Sequence, residues 1–143
     1  MKTFQPKQKD IEKKWYLINA KGKILGKVAT EAAKILRGKH RAEFTPNLDC
    51  GDEVIVVNAK DVVVTGKKLK QKTYKSYSGY PNGLKVKVLE VLMKQDPTRI
   101  IKHAIWGMLP HNKLGRKIFK KLRVYVGEKH PHMAQKPEVL EVK

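Results

Sequence analysis

Two runs, Glu53-Val54-Ile55-Val56-Val57-Asn58 and Asp61-Val62-Val63-Val64-Thr65-Gly66, constrain this chain most. β-Branched residues crowd an α-helix at χ1 and suit a pleated strand. A strand that is apolar at consecutive positions has no solvent face, so it belongs in a sheet covered on both sides, as in parallel α/β folds. Trp15-Tyr16-Leu17-Ile18 reads as another buried strand and Val124-Tyr125-Val126-Gly127 as a final short one. The connection Asn58-Ala59-Lys60 is short enough for a hairpin, which would add antiparallel pairing.

Helical periodicity appears between these strands. From Gly26 to Arg37, Val28, Ala29, Ala32, Ala33, Ile35 and Leu36 share one face. Gly38 is placed to stop that helix, with Lys34 and Arg37 complementing the dipole of its last turn. Asp96-Pro97 is a helix start, followed by Ile100, Ile101, Ala104, Ile105, Met108 and Leu109 at helical spacing until Pro110. Val86 to Met93 reads as a further helix, and Leu114, Ile118 and Leu122 as the apolar side of a short basic one. Lys67 to Gly83 reads as a basic loop or ribbon arm, and the tail from Glu128 as irregular. The expected fold is therefore α/β with a short, mostly parallel sheet and basic extensions. It forms a single domain over 1–143 with a core of about 14–127 and extensions at 1–13 and 128–143.

Against this scaffold the charge is lopsided. Among 143 residues, 32 Lys and Arg face 13 Asp and Glu, a net charge of +19. Such a surplus repels itself unless a dense polyanion neutralises it. The surplus is also clustered. Leu48 to Gly66 holds four acids and one lysine, whereas Lys67 to Lys75 holds five lysines and Lys113 to Arg123 six basic residues, both without an acid. A third cluster is Lys34, Arg37, Lys39, His40 and Arg41. In the arm, Lys72, Tyr74, Lys75 and Tyr77 interleave cations for phosphates with rings for stacking. Lys117, Lys120 and Lys121, beside Arg116, form a stripe that could track a phosphate backbone. With no arginine-rich recognition helix, the pattern points to folded RNA read by shape and backbone.

Other chemistries fit less well. Gly22-Lys23-Ile24-Leu25-Gly26-Lys27 has three residues between its glycines and Val28 after the lysine, where a phosphate loop needs four and a hydroxyl. A small nucleotide- or nucleic-acid-acting enzyme is the alternative reading. His130 and His132 with one cysteine make no closed metal site, so no metal or cofactor is expected. Cys50, between acids, reads as an inert thiol suited to a reducing cytosol. Asp49, Asp52 and Glu53 could form a Mg²⁺ site or a general-base pair, but loop solvation, N-capping or pairing with the surrounding lysines is the commoner use of such a cluster. No catalytic constellation stands out. No run approaches the ~20 apolar residues of a membrane span, and residues 1–14 lack a secretory pattern. The 113–123 segment as a basic anchor on anionic lipid is a third, weaker reading.

Gly107-Met108-Leu109-Pro110-His111-Asn112-Lys113-Leu114-Gly115-Arg116, then Leu122-x-Val124-Tyr125-x-Gly127 and His130-Pro131-His132-x-Ala134-Gln135, resemble the signature region of the bacterial large-subunit ribosomal protein thirteen family. Asp49-Cys50-Gly51-Asp52, Asn58-Ala59, Thr65-Gly66-Lys67-Lys68 and Ser78-Gly79-Tyr80-Pro81 extend the likeness from about Trp15 to Glu138. The resemblance implies a three-layer α/β/α domain. It also implies a non-catalytic cytoplasmic component of the large ribosomal subunit, binding large-subunit rRNA and neighbouring ribosomal proteins early in assembly, with no membrane or small-molecule substrate. It places Lys67, Lys68, Tyr74, Lys75, His111, Asn112, Lys113 and Arg116 toward RNA. The charge pattern adds Lys34, Arg37, Lys39, His40, Arg41, Lys70, Lys72, Tyr77, Lys117, Lys120 and Lys121 as candidate RNA-binding residues.

Overall fold

The computed structural model describes residues 5–142. Strand β1 (Trp15–Asn19) leads into helix α1 (Leu25–Arg37), whose apolar stripe is buried as its spacing requires. Gly38 ends the helix at φ 83°, in the left-handed region open to a residue without Cβ, and its N–H reaches the carbonyls of Lys34 and Ile35. Strand β2 (Glu53–Val57) runs parallel to β1, with Tyr16 opposite Val54 and Ile18 opposite Val56. Val54, Ile55 and Val56 are fully buried, so β2 is the two-sided strand its composition predicts.

The second valine run is not a strand. Asn58 turns the chain at φ 57°, a 3-10 turn covers Ala59–Asp61, and Val63 makes only an isolated parallel bridge to Ile24. A hairpin partner for β2 would need a free edge, and both edges are already taken. The segment is instead stitched to the loop before α1 by Val63 N–H to the Lys23 carbonyl and Leu25 N–H to the Val63 carbonyl.

The basic arm is a short helix α2 (Lys68–Gln71) and an antiparallel ribbon of β3 (Thr73–Tyr77) and β4 (Leu84–Val88), in register from Thr73 opposite Val88 to Tyr77 opposite Leu84. The helix expected from Val86 begins only at Leu89, as α3 (Leu89–Gln95). Leu84-Lys85-Val86-Lys87-Val88 alternates with period two, and that period wins. Helix α4 (Pro97–Met108) starts where Asp96-Pro97 places it: the Asp96 carboxylate accepts from the Arg99 N–H at 3.3 Å. Ile100, Ile101 and Ile105 are buried and Leu109 follows them into the core, but Met108 is exposed.

Helix α5 (Lys113–Phe119) stops before Leu122, which opens strand β5 (Leu122–Val124) rather than completing a helical face. The tail is not wholly irregular. It carries a 3-10 turn at Met133–Gln135 and strand β6 (Glu138–Leu140), which pairs in parallel with β1. The sheet order is β5-β2-β1-β6, all parallel.

This order explains the layers. Steps from β1 to β2 and from β2 to β5 move the same way across the sheet, so right-handed crossovers put their helices on one face. Tyr16, Ile18, Val54, Val56, Leu122, Val124 and Leu140 point there, into one core with α1 and α4. The return from β5 to β6 moves the other way and covers the opposite face. There the Trp15 ring lies 5.2 Å from that of His132, and the Tyr125 hydroxyl hydrogen-bonds His132 Nε2 at 2.7 Å. The chain is thus a three-layer α/β domain, its second face covered by the segment that carries the 3-10 turn.

Candidate nucleic-acid interface

The basic clusters meet at α4. Its buried isoleucines fix it to the sheet, and the opposite side carries Arg99, Lys102, His103 and Trp106 at i, i+3, i+4 and i+7. On one flank these four face Arg116, Phe119 and Lys120 of α5 across an open cleft of about 500 Å³. On the other flank, Arg99 closes a small cleft with Tyr74, Lys75, Ser76 and Lys87 of the ribbon. His103 and Met108 share a depression with Thr65, Lys68 and Lys72. Met108 also borders the end of α1, beside Lys34, Arg37 and Lys39. Arg99, His103 and Met108 each line two clefts, so ribbon, α2, α5 and the end of α1 share a continuous surface. No carboxylate lines any of these four clefts among the described residues.

Most predicted site residues are exposed, and of the exposed ones Lys34, Lys39, Lys68, Lys72, Lys75, Arg116 and Lys120 line these clefts. Lys34, Lys39, Lys67, Lys68, Lys70, Lys72, Lys75, Tyr77, His111, Asn112, Lys113, Arg116, Lys117 and Lys120 are exposed, and Arg37 is half-buried with its guanidinium 5.8 Å from the Phe44 ring centre. Tyr77 offers a free ring at 66% exposure. Tyr74 is different: it packs edge-on against His103 at 5.1 Å, Lys72 lies over its ring, and burial pushes its hydroxyl pKa up. Asn112 spends its side-chain oxygen capping α5, accepting from the Gly115 N–H at 2.8 Å. That turn is tight: a Cβ on Gly115 would lie 1.7 Å from the Pro110 carbonyl oxygen.

The expectation for Lys121 fails. It is buried, with its ammonium 2.5 Å from Asp49 and 2.8 Å from the Gly51 carbonyl. Burial lowers its pKa against the opposing pull of Asp49. α5 ends at Phe119 with Lys120 as its cap, so Lys121 lies beyond the helix that carries Lys117 and turns inward. His40 and Arg41 also have an internal partner. Asp52, fully buried, takes His40 Nε2 at 2.8 Å and Arg41 Nη2 at 2.5 Å, and accepts the Lys14 N–H at 2.8 Å. The hydrogen bond to Asp52 raises the Arg41 pKa despite partial burial. These two residues hold the turn that presents Lys39. Asp49 and Asp52 thus pair with cations, whereas Glu53 makes no ion pair among the described residues, and desolvation raises its pKa against nearby Lys121 and Arg123.

Sequence reasoning missed Arg99, Lys102, Trp106 and Phe119. The signal was the polar side of the α4 periodicity, masked by the apolar side that defines the helix. At the Gly22–Lys27 turn, the first α1 N–H, that of Leu25, is bonded to the Val63 carbonyl, and Ile24 is extended. This is a chain crossing and not a phosphate cradle. Cys50 is buried against Thr45 and the Glu43 carbonyl. Among the described residues no helix is long and apolar enough to cross a membrane, and no His, Cys, Asp and Glu group has metal-binding geometry.

Fold and surface define a small α/β scaffold that presents a mainly cationic face, with Glu31 at its edge. Residues 13–131 match the family described as Ribosomal protein L13. The chain is similar over its whole length to the large ribosomal subunit protein uL13 of Finegoldia magna, at 57% identity over 143 residues covering 100% of both chains. It is 59% identical over 139 residues to the same-named protein of Pelotomaculum thermopropionicum, covering 96% of each, and 57% identical over 137 residues to that of Carboxydothermus hydrogenoformans, again 96% of each. The chain belongs to the ribosomal protein L13 family.

Proposed function

We propose that this protein is a non-catalytic constituent of the large ribosomal subunit in the cytoplasm, where it binds and braces large-subunit rRNA and enters early in assembly. The observation that carries the reading is the surface around α4. Four clefts adjoin there, lined by lysine and arginine from the end of α1, α2, the ribbon, α4 and the end of α5, with no acid among the described residues. The buried isoleucines fix the α4 backbone that carries Arg99 and Lys102, and each phosphate the surface cations neutralise releases condensed counterions. Exposed cations on separate elements can grip separate RNA segments and hold them together, with neighbouring ribosomal proteins as further partners. Lys34, Arg37, Lys39, Lys67, Lys68, Lys70, Lys72, Lys75, His111, Lys113, Arg116, Lys117 and Lys120 are the proposed contacts, with Tyr77 as a stacking ring.

The test is binding of the purified chain to a transcript of bacterial large-subunit rRNA between 50 and 200 mM salt. With roughly 6–10 phosphates contacted, affinity should fall by about 10³–10⁵. A salt-insensitive affinity, or absence of the chain from large subunits in a sucrose gradient of growing cells, would overturn the reading.

A further inference from the structure

We propose that the cleft between α4 and α5 is a pocket for one unpaired nucleobase of the bound RNA strand, stacked on Trp106 with its edge toward Phe119 and flanked by the cations of the rim. The inference rests on the rRNA-binding reading and adds a stacking subsite to it. The two rings meet edge to face at 5.2 Å, and Trp106 is braced by His111 at 5.1 Å. Trp106 is thus a fixed platform, half-buried, and loses little freedom when a flat group lands on it. The surface inside the cleft is almost wholly apolar, yet Arg99, Lys102, Arg116 and Lys120 surround it.

That combination selects its occupant. An apolar protein side chain would fill the floor but force four cations out of water without partners, which is costly. A phosphate alone would use the rim and leave the rings exposed. A nucleotide within a strand supplies both parts: a flat base for Trp106 and phosphates on either side for the cations. A base within a duplex is already stacked on its neighbours, so the base must come from a loop or bulge.

Three measurements decide the matter. In a Trp15→Phe variant, Trp106 is the sole tryptophan, and Trp15 itself lies on the far face against His132. Single-stranded oligoadenylate should quench its emission, whereas an oligoadenylate–oligouridylate duplex should not; equal quenching by both, or none, overturns the proposal. Trp106→Leu should bind the rRNA transcript about 5- to 150-fold more weakly, the range expected for loss of one stacked base. Its log–log salt slope should match the parent's, since stacking releases no counterions. Trp106→Phe should recover most of the affinity. An unchanged Trp106→Leu affinity sinks the pocket while leaving rRNA binding intact, and a loss accompanied by a shallower slope means that Trp106 merely supports the cations. Failure of the parent to bind the transcript removes both readings. Should Trp106→Leu lack a cooperative thermal transition, the quenching result alone decides.

Discussion

The ammonium of Lys121 lies 2.5 Å from the carboxylate of Asp49, 72 residues earlier in the chain. Both are buried, and Lys121 also donates to the Gly51 carbonyl at 2.8 Å. The pair ties the entry of β2 to the entry of β5, neighbouring parallel strands of the sheet. The other Asp49 oxygen has no hydrogen-bond partner among the described residues, and Lys13 stands 3.7 Å from it.

Breaking a buried pair from one side strands a charge. Lys121→Met should cost about 3–5 kcal/mol in urea unfolding. Adding Asp49→Asn should recover most of that, since the stranded carboxylate is gone. A Lys121→Met protein as stable as the parent would show that the pair contributes nothing.

Asp52 is the second internal anchor. Its carboxylate receives His40, the Arg41 fork and the Lys14 N–H. Asp52→Asn keeps the shape and removes the charge, so stability should drop by about 3 kcal/mol. Amide exchange should speed up first in the 38–44 turn, because that turn is held through these bonds.

Asp96 gives the pH dependence of α4. Its carboxylate accepts from the Thr98 hydroxyl at 2.6 Å and from the Arg99 N–H, and these bonds lower its pKa. A lowered folded pKa means stability that is fully present above the unfolded value near ~3.9 and is lost as pH falls through the folded one. Asp96→Ala should therefore cost about 1 kcal/mol at pH 7. The gap to the parent should close in acid below about pH 4; a gap constant down to pH 2 would refute the assignment.

Gly115→Ala sets two effects against each other. Alanine gains about 1 kcal/mol of helix propensity over glycine. The new methyl would lie 1.7 Å from the Pro110 carbonyl oxygen, which is backbone and cannot rotate away. Overpacking of that kind costs about 1–3 kcal/mol or more, so a net loss is expected in thermal unfolding, with α5 shifted off α4.

Charge variants separate surface from interior. Lys117→Gln and Lys120→Gln should each flatten the salt slope of rRNA binding by about 0.7–0.9, one counterion's worth. Lys121→Met should leave that slope unchanged under conditions where the protein remains folded, because its ammonium faces Asp49 and not solvent.

The fold was legible where periodicity acts locally. Val54 to Val57 read as a two-sided strand, Val28 to Leu36 as a buried helix face, and Asp96-Pro97 as a helix start, and each stands so. Two β-branched stretches misled. Val62-Val63-Val64 has strand composition but no free edge to pair with, and Lys85-Val86-Lys87-Val88 belongs to a ribbon whose period two sits within a stretch that also admits helical spacing. The clusters of the candidate interface were visible as charge. Arg99, Lys102 and Trp106 were not, because they share a helix with the isoleucines that dominate its pattern.

By itself, the sequence determined the strand and helix alphabet, the surplus of cations and their grouping, since these depend on residue type and near neighbours. Only the tertiary structure decided which cations are available. It buried Lys121 on Asp49, spent Arg41 on Asp52, and gathered Lys72, Arg99 and Arg116 around one helix. The physical reason is that exposure and pairing are set by contacts between segments far apart along the chain, and a charge carries no local mark of the partner it will meet.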